Sequence, residues 1–264
     1  MSRAKQAFCD IIKIGSDKME KWQIVLNNFL NEYENKEYVI GAVLGGSYAT
    51  GNNTENSDID IHIITKEVGW KERGNKIIDG IMIEYFINPI TELYKYMEDD
   101  HNRRKRMSTA SMFGYGKIIF DKTGEIEKLQ AKALEYYEIE FSVPESTEIM
   151  FNNYMCWDLM DELKDKINNK ENIDFNYYML LKELISAYFY KNNIATVPFT
   201  KIEKIFRDKN YREQYHLKNF PNEKFVNLVL NCFDNKNYLN IEKLYEYVIE
   251  DFKISDFLIS TKIN

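Results

Sequence analysis

The chain contains few cysteines, and their positions argue against a fold held by disulfides and against a fold held by a zinc ion. Cys9, Cys156 and Cys232 are far apart and odd in number. Such spacing forms neither a disulfide framework nor a zinc-binding pattern. We therefore interpret the cysteines as reduced thiols and expect a cytoplasmic protein.

Long apolar runs are also missing. No segment approaches the roughly 20 apolar residues that a membrane-spanning helix needs. The residues after Met1 form an amphipathic stretch rather than an apolar leader. We therefore expect no membrane partner. The hydrophobic content of 44% over 264 residues is still enough for a real core, and the length favours two domains.

An excess of basic residues is absent as well. The formal net charge is −7. A general nucleic-acid binder usually has a basic surface, so the balance argues against nucleic acid as a partner. It suits a cationic small substrate instead.

One segment combines an apolar run with a glycine turn. The β-branched run 39–44 predicts a buried strand. Gly45 and Gly46 follow it and allow the backbone to turn sharply and to approach a ligand closely. Ser47 adds a hydroxyl and a backbone N–H at a predicted helix start, which is a natural anion site.

Two carboxylates follow this turn after a gap of ten residues. Asp58, Asp60 and His62 alternate with isoleucines, and a period of two places them on one face of a strand at 58–64. Neighbouring carboxylates repel each other unless a cation lies between them. Mg²⁺ is the expected metal because it takes hard oxygen ligands and bridges carboxylates to phosphates. We expect His62 to be a hydrogen-bonded core residue rather than a ligand.

The glycine-serine turn and the paired aspartates together resemble the signature of the DNA polymerase beta-like nucleotidyltransferase superfamily. Members carry a third carboxylate on a later strand, and Glu84 is the one charged residue in the strand-like run 80–87. The alternative for Glu84 is an exposed charge on an edge strand. The resemblance implies a nucleotide-binding, metal-binding and catalytic site formed by Gly45, Gly46, Ser47, Asp58, Asp60 and Glu84.

The first half of the chain alternates between helix and strand patterns. The pattern predicts a polar connection at 66–74. It also predicts a charged helix end at 101–106, which is either solvated or in contact with phosphate or RNA. These elements indicate an α+β fold, with a small mixed sheet and helices, as a catalytic domain over residues 1–140. The predicted helices are 17–35, 91–107 and 125–138, and the predicted strands are 39–44, 58–64, 81–87 and 117–121.

Strand patterns disappear from residue 141 onward. The periodicity predicts an all-helical bundle of about five helices over residues 141–264. The resemblance to nucleotidyltransferases implies that this bundle is a substrate-binding domain. The predicted helices are 149–167, 177–190, 201–208, 223–233 and 241–258.

This order of domains resembles the aminoglycoside and lincosamide nucleotidyltransferases. Such enzymes move AMP, or sometimes another nucleotide, from a triphosphate to an antibiotic hydroxyl. The resemblance implies Mg²⁺, ATP or another nucleoside triphosphate, and a small-molecule hydroxyl acceptor, in a monomer or a homodimer. Related enzymes place a lysine near the phosphates after an apolar helix and a proline. Lys201 after Pro198 fits this description, and an ordinary surface lysine is the alternative.

Other interpretations stay open at this level. The acceptor is a weak nucleophile that needs a base, and Glu84 binds a metal, takes the proton, or does both. A carboxylate of the helical half, Asp158, Asp161 or Glu162, is the alternative base. A nucleotidyltransferase acting on a protein or tRNA, as in toxin–antitoxin systems, and a non-catalytic nucleotide-binding protein are the alternative functions.

Overall fold

A computed structural model of the chain describes residues 19–250 and 252–260. These residues form two compact units. The first comprises the described residues up to Arg103 together with Met107–Glu140, and the second comprises Arg104–Arg106 and the described residues from Phe141 onward. The predictions for residues 1–18, including the reduced state of Cys9 and the amphipathic start, lie outside the described residues.

The first unit is built on a five-stranded sheet with the strand order β3-β4-β2-β1-β5. The strands β2 and β4 are parallel, and the other neighbouring pairs are antiparallel. In chain order its elements are α1 (Lys21–Leu30), β1 (Val39–Leu44), α2 (Gly46–Thr50), β2 (Ile59–Thr65), β3 (Glu72–Ile78), β4 (Ile81–Pro89), α3 (Ile90–Asn102), α4 (Ser108–Gly114), β5 (Lys117–Asp121) and α5 (Glu125–Glu138).

Helix α1 covers one face of this sheet. Its buried Leu26 and Phe29 pack in one cluster with Ile59, Ile61 and Ile83. Side chains of a strand alternate between the two faces. The residues between these isoleucines, on β2 and β4, therefore point to the opposite face, where polar groups collect.

The second unit is helical. Its core is formed by large apolar residues, among them Tyr177, Leu184, Phe189 and Phe225, and it contains the buried free thiols of Cys156 and Cys232. Its helices are α6 (Ser146–Asn168), α7 (Asp174–Lys191), α8 (Phe199–Arg207), α9 (Lys209–Tyr215), α10 (Glu223–Asp234) and α11 (Tyr238–Val248), followed by a 3₁₀ turn at Ile254–Asp256.

The predicted α+β fold class is confirmed, since a mixed sheet with helices precedes a helical region. The strand β3 differs from the prediction, which placed a polar connection at 66–74. β3 lies at the sheet edge and is mostly exposed. A strand without a buried face lacks the apolar alternation that identifies strands in a sequence. Among the described residues, no helix has the length and hydropathy to span a membrane.

The basic run at 101–106 is solvated only in part, since Arg103 and Arg104 are exposed just beyond the helix. Helix α3 ends at Asn102, and Lys105 is buried with a φ of 45°. The Lys105 ammonium donates hydrogen bonds to the carbonyl oxygen of Ser142 (2.9 Å) and to Oδ1 of Asn193 (2.6 Å). The buried ammonium is therefore engaged within the second unit and is not a phosphate contact.

Candidate active site

The turn after β1 is packed directly against Asp60. The Gly45 N–H donates to the Asp60 carbonyl oxygen at 2.9 Å. Gly46 has a φ of +60°, and a Cβ at this position would lie 1.8 Å from Oδ2 of Asp60. Position 46 therefore accepts only glycine without displacing the carboxylate, and the close approach predicted for the turn is made to Asp60.

Three carboxylates meet on the polar face of the sheet. Asp60 and Glu84 are partners in the parallel ladder between β2 and β4, and Asp58 directly precedes β2. One oxygen from each of Asp58, Asp60 and Glu84 lies within 4.8 Å of the others, and all three residues are half-buried. The structure thus brings together the three acids that were predicted from separate parts of the sequence.

The electrostatics of this acidic cluster are unfavourable without a cation. The pKa of Asp60 is raised from 3.8 to about 6, first by burial and then by the charges of Asp58 and Glu84 and a hydrogen bond with Glu84. Burial, followed by the charge of Asp58, also raises the pKa of the neighbouring Tyr48. A bound cation would offset this repulsion.

Arg73 supplies one positive charge to the cluster. Its Nε donates to Oε1 of Glu84 at 3.0 Å, and its Nη2 contacts the same oxygen. The guanidinium lies 4.9 Å from the centre of the Phe86 ring. Arg73 belongs to β3. Because the sequence pattern did not predict this strand, it did not indicate that Arg73 would lie beside Glu84.

His62 is the next residue beyond Asp60 on the same face of β2. It is buried, with its ring stacked on Phe86 at 4.7 Å and meeting the edge of Phe113 at 5.2 Å. Burial lowers its pKa from 6.5 to about 4. Neither ring nitrogen has a hydrogen-bond partner among the described residues. The prediction of a buried histidine is therefore confirmed, and the prediction that its ring is hydrogen-bonded is wrong.

A pocket of about 370 Å³ lies on the polar face and includes His62 in its wall. Its wall is mainly apolar and aromatic, with several polar and charged groups among the lining residues. The lining residues are His62, Lys71, Glu72, Arg73, Phe86, Asn88, Leu93, Tyr96, Thr109, Met112 and Phe113. No motif in the sequence predicts this pocket, because its residues come from five separate segments of the first unit.

The remaining predicted residues belong to other surfaces. Ser47 is half-buried in α2, and Lys201 is exposed in the first turn of α8, in the second unit. The candidate bases Asp158, Asp161 and Glu162 are exposed on α6. Their functional assignments stay predictions.

The donor set of the cluster fits a divalent cation. Mg²⁺ is bound by hard carboxylate oxygens, commonly by one or two carboxylates together with substrate phosphates. Asp58, Asp60 and Glu84 offer such oxygens, and the glycine at position 46 leaves space beside Asp60 that a Cβ would fill. The arrangement is suited to holding a metal–phosphate group next to the sheet.

The match to a family model agrees with this chemistry. Residues 26–155 match the family model described as "Nucleotidyltransferase domain". A search of curated proteins gives no match. A nucleotidyltransferase-like protein from Exiguobacterium sibiricum 255-15 aligns over 84% of this chain and 73% of its own, with 13% identity and a TM-score of 0.39. Residues 26–155 therefore belong to a nucleotidyltransferase domain of the DNA polymerase beta-like superfamily.

Proposed function

We propose that this protein transfers a nucleoside monophosphate, AMP from ATP, to a hydroxyl of a small molecule and releases pyrophosphate in a Mg²⁺-dependent reaction. The proposed acceptor is an aminoglycoside-type or lincosamide-type antibiotic, so that the protein would confer antibiotic resistance. The observation that carries the proposal is the meeting of Asp58, Asp60 and Glu84 within 4.8 Å. Three mutually repelling acids have a clear use in a site that binds a metal and a triphosphate.

Asp58, Asp60 and Glu84 are the proposed metal-binding and catalytic residues. When bound there, Mg²⁺ would stabilise the developing charge on the attacking and leaving oxygens and neutralise the phosphates. The raised pKa of Asp60 supports this role. It shows that the carboxylate group favours a bound positive charge, and a metal cation at the cluster would take the place of the proton. Arg73 holds one oxygen of Glu84 and would keep that side chain oriented.

The turn Gly45-Gly46-Ser47 is the proposed cradle for the triphosphate. The close packing of Gly46 on Asp60 supports it, because phosphates held along the turn would lie directly beside the carboxylates. Lys201 is proposed to contact the phosphates as a positive charge.

The transfer itself is an in-line displacement at the α-phosphorus. The acceptor hydroxyl oxygen forms a bond to the α-phosphorus, and the bond between this phosphorus and the bridging oxygen breaks. Pyrophosphate leaves with the electron pair of that bond. Glu84 is the proposed base for the hydroxyl proton. It lies on β4, and β2 separates this strand from β1, which leads into the phosphate cradle.

Pyrophosphate release from ATP and Mg²⁺ tests the proposal, measured over a panel of aminoglycosides and lincosamides. We expect release that depends on an acceptor and that is lost in Asp60→Asn. Asp79→Asn is the matched control because Asp79 is an exposed acid at the turn between β3 and β4. Activity retained in Asp60→Asn would contradict the metal assignment. No release across the panel, with ATP still bound, would favour a protein, tRNA or another metabolite as acceptor.

A further inference from the structure

We propose that the side chains of Asn75, Ile77 and Met82, on the hairpin formed by β3 and β4, hold the acceptor, and that the acceptor carries an apolar surface as well as its hydroxyl. We call these three side chains the hairpin face. The inference rests on the proposed function, because it assigns the acceptor of the same transfer reaction. It favours the lincosamide type, which has an alkyl chain on a pyrrolidine ring, over the aminoglycoside type.

The hairpin face lies on the same side of the sheet as the acidic cluster. In the antiparallel ladder between β3 and β4, Asn75 pairs with Glu84 and Ile77 pairs with Met82. Ladder partners point to the same face, and so do residues two apart on one strand. Glu84 is in turn the ladder partner of Asp60 on β2. The hairpin face therefore continues the surface of the acids towards the edge of the sheet.

The hairpin face is also close to the carboxylates. Met82 precedes Glu84 by two residues on β4, and two residues of a strand span about 6.6 Å. Asn75 and Ile77 lie on the neighbouring strand β3, and neighbouring strands are about 4.8 Å apart. A ligand ring that rests on Met82 can therefore present a hydroxyl at the acidic cluster.

The order of the strands places the hairpin face on the side from which the acceptor attacks. The phosphate cradle follows β1, and β2 separates β1 from β4 and β3. An in-line displacement needs the attacking and leaving oxygens on opposite sides of the phosphorus. When pyrophosphate leaves along the cradle, the attacking hydroxyl comes from the side of β4 and β3.

The surface of the sheet is open at the hairpin face and filled on the other side of the cluster. In the direction of His62, the ring of this buried residue is stacked on Phe86, and Phe86 lies against the Arg73 guanidinium. In the direction of the hairpin, Ile77 is 71% exposed and Met82 is 43% exposed. A ligand that approaches the cluster over β4 and β3 therefore crosses the hairpin face.

The chemistry of the hairpin face defines the class of acceptor. The solvated face of an antiparallel sheet is usually polar, but Ile77 and Met82 are both apolar. A ligand that covers this pair gains free energy in proportion to the apolar area removed from water. Asn75 adds an exposed amide that donates and accepts hydrogen bonds. An aminoglycoside has little apolar surface and would gain little from the pair.

The ε-methyl NMR signal of Met82 tests the location. The chain has ten methionines, and Met82→Leu identifies the signal among them. With Mg²⁺ and a non-hydrolysable ATP analogue present, we expect lincomycin to shift this signal and kanamycin to leave it in place. No shift with lincomycin would overturn the proposal. So would a shift caused by the ATP analogue alone, which would assign the face to the nucleobase, or by protein concentration, which would assign it to a second copy.

Steady-state kinetics test the contribution of the apolar pair. The double variant Ile77→Asn/Met82→Asn should raise the KM for lincomycin about tenfold and leave the KM for ATP unchanged. Ile24→Asn is the matched control, because Ile24 is 46% exposed on α1, which covers the opposite face of the sheet. Thermal unfolding shows whether both variants fold. An unchanged KM for lincomycin in the double variant, or an equal rise in the control, would contradict the proposal.

The two hypotheses fail in different ways. Transfer to lincomycin without a shift of the Met82 signal would overturn the hairpin face as the acceptor site and leave the proposed reaction intact. A shift by lincomycin without any transfer would support the hairpin face as a binding site and count against the proposed reaction.

Discussion

Asp60 and Glu84 are direct partners across two parallel strands, although 23 residues separate them in the chain. The register between β2 and β4 places both carboxylates on the same face, and Asp58 completes the cluster. We expect Mg²⁺ to raise the thermal unfolding temperature of the protein, because it binds the folded cluster and not the unfolded chain. Asp60→Asn should abolish this increase while the far-UV circular dichroism stays unchanged. An equal increase in Asp60→Asn and in the wild type would contradict metal binding at this cluster.

The raised pKa of Asp60 predicts the pH dependence of stability in the metal-free protein. The folded state binds this proton more tightly than the unfolded state, since the pKa rises from 3.8 to about 6. The free energy of unfolding therefore falls as the pH rises from about 4 to about 6 and is constant above. In EDTA, the stability advantage of Asp60→Asn over the wild type should grow across this window. A constant difference at every pH would contradict the prediction.

The packing of Gly46 on Asp60 predicts a loss of activity in Gly46→Ala. The positive φ of +60° alone costs a non-glycine residue about 1–2 kcal/mol, and the added Cβ also pushes the Asp60 carboxylate away. Gly51→Ala is the control, because its φ is +76° but no atom lies within 4 Å of the added Cβ. Both variants should lose similar stability in thermal unfolding, and only Gly46→Ala should lose transfer activity. Equal activities would show that the close approach is not required.

His62 and His101 should respond in opposite ways to replacement by phenylalanine. Both are buried, but the His101 nitrogens contact Oδ1 of Asn102 and the Ile139 carbonyl oxygen, each at 3.0 Å. His101→Phe should destabilise the protein by about 1–3 kcal/mol because it removes two partly buried hydrogen bonds. His62→Phe should be neutral or stabilising near pH 7, as measured by chemical denaturation. A large destabilisation in His62→Phe would indicate a structural hydrogen bond at this ring.

Acid should remove stability through His62. Its pKa falls from 6.5 to about 4 on folding, so the unfolded state binds the proton more tightly. Stability is therefore lost as the pH decreases from 6.5 towards 4, by at most about 1.4 kcal/mol per pH unit. His62→Phe should show a smaller loss over this range than the wild type. Identical pH profiles would exclude His62 as the source.

The proposed phosphate contact of Lys201 predicts a selective effect on the nucleotide. Lys201→Gln should raise the KM for ATP several-fold and leave the KM for the acceptor unchanged, because one charge to the phosphates is lost. Lys204→Gln is the control, since the Lys204 ammonium lies 4.1 Å from the centre of the Tyr211 ring. Equal increases in both variants would identify Lys201 as an ordinary surface charge.

The sequence predicted most of the elements that have a buried apolar face, with the exception of α4, which buries Ala110 and Phe113. The strand at 39–44, the alternation around Asp60 and the charged residue in the run 80–87 all depend on short-range patterns, and the structure bears out the fold class built on them. The strand β3 was not predictable in this way, because an exposed edge strand has no apolar periodicity. The contact of Arg73 with Glu84 was therefore not predictable either, because Arg73 lies on this strand.

By itself, the sequence determined the α+β fold class, the glycine turn, and the residue types that the nucleotidyltransferase domain brings to its site. Those features follow from local spacing and periodicity. Only the tertiary structure decided that Glu84 pairs with Asp60, that the Lys105 ammonium is buried, and that the His62 ring finds no hydrogen-bond partner within the described part of the chain. Strand register and helix packing join residues that are distant in the chain, and no local pattern contains that information.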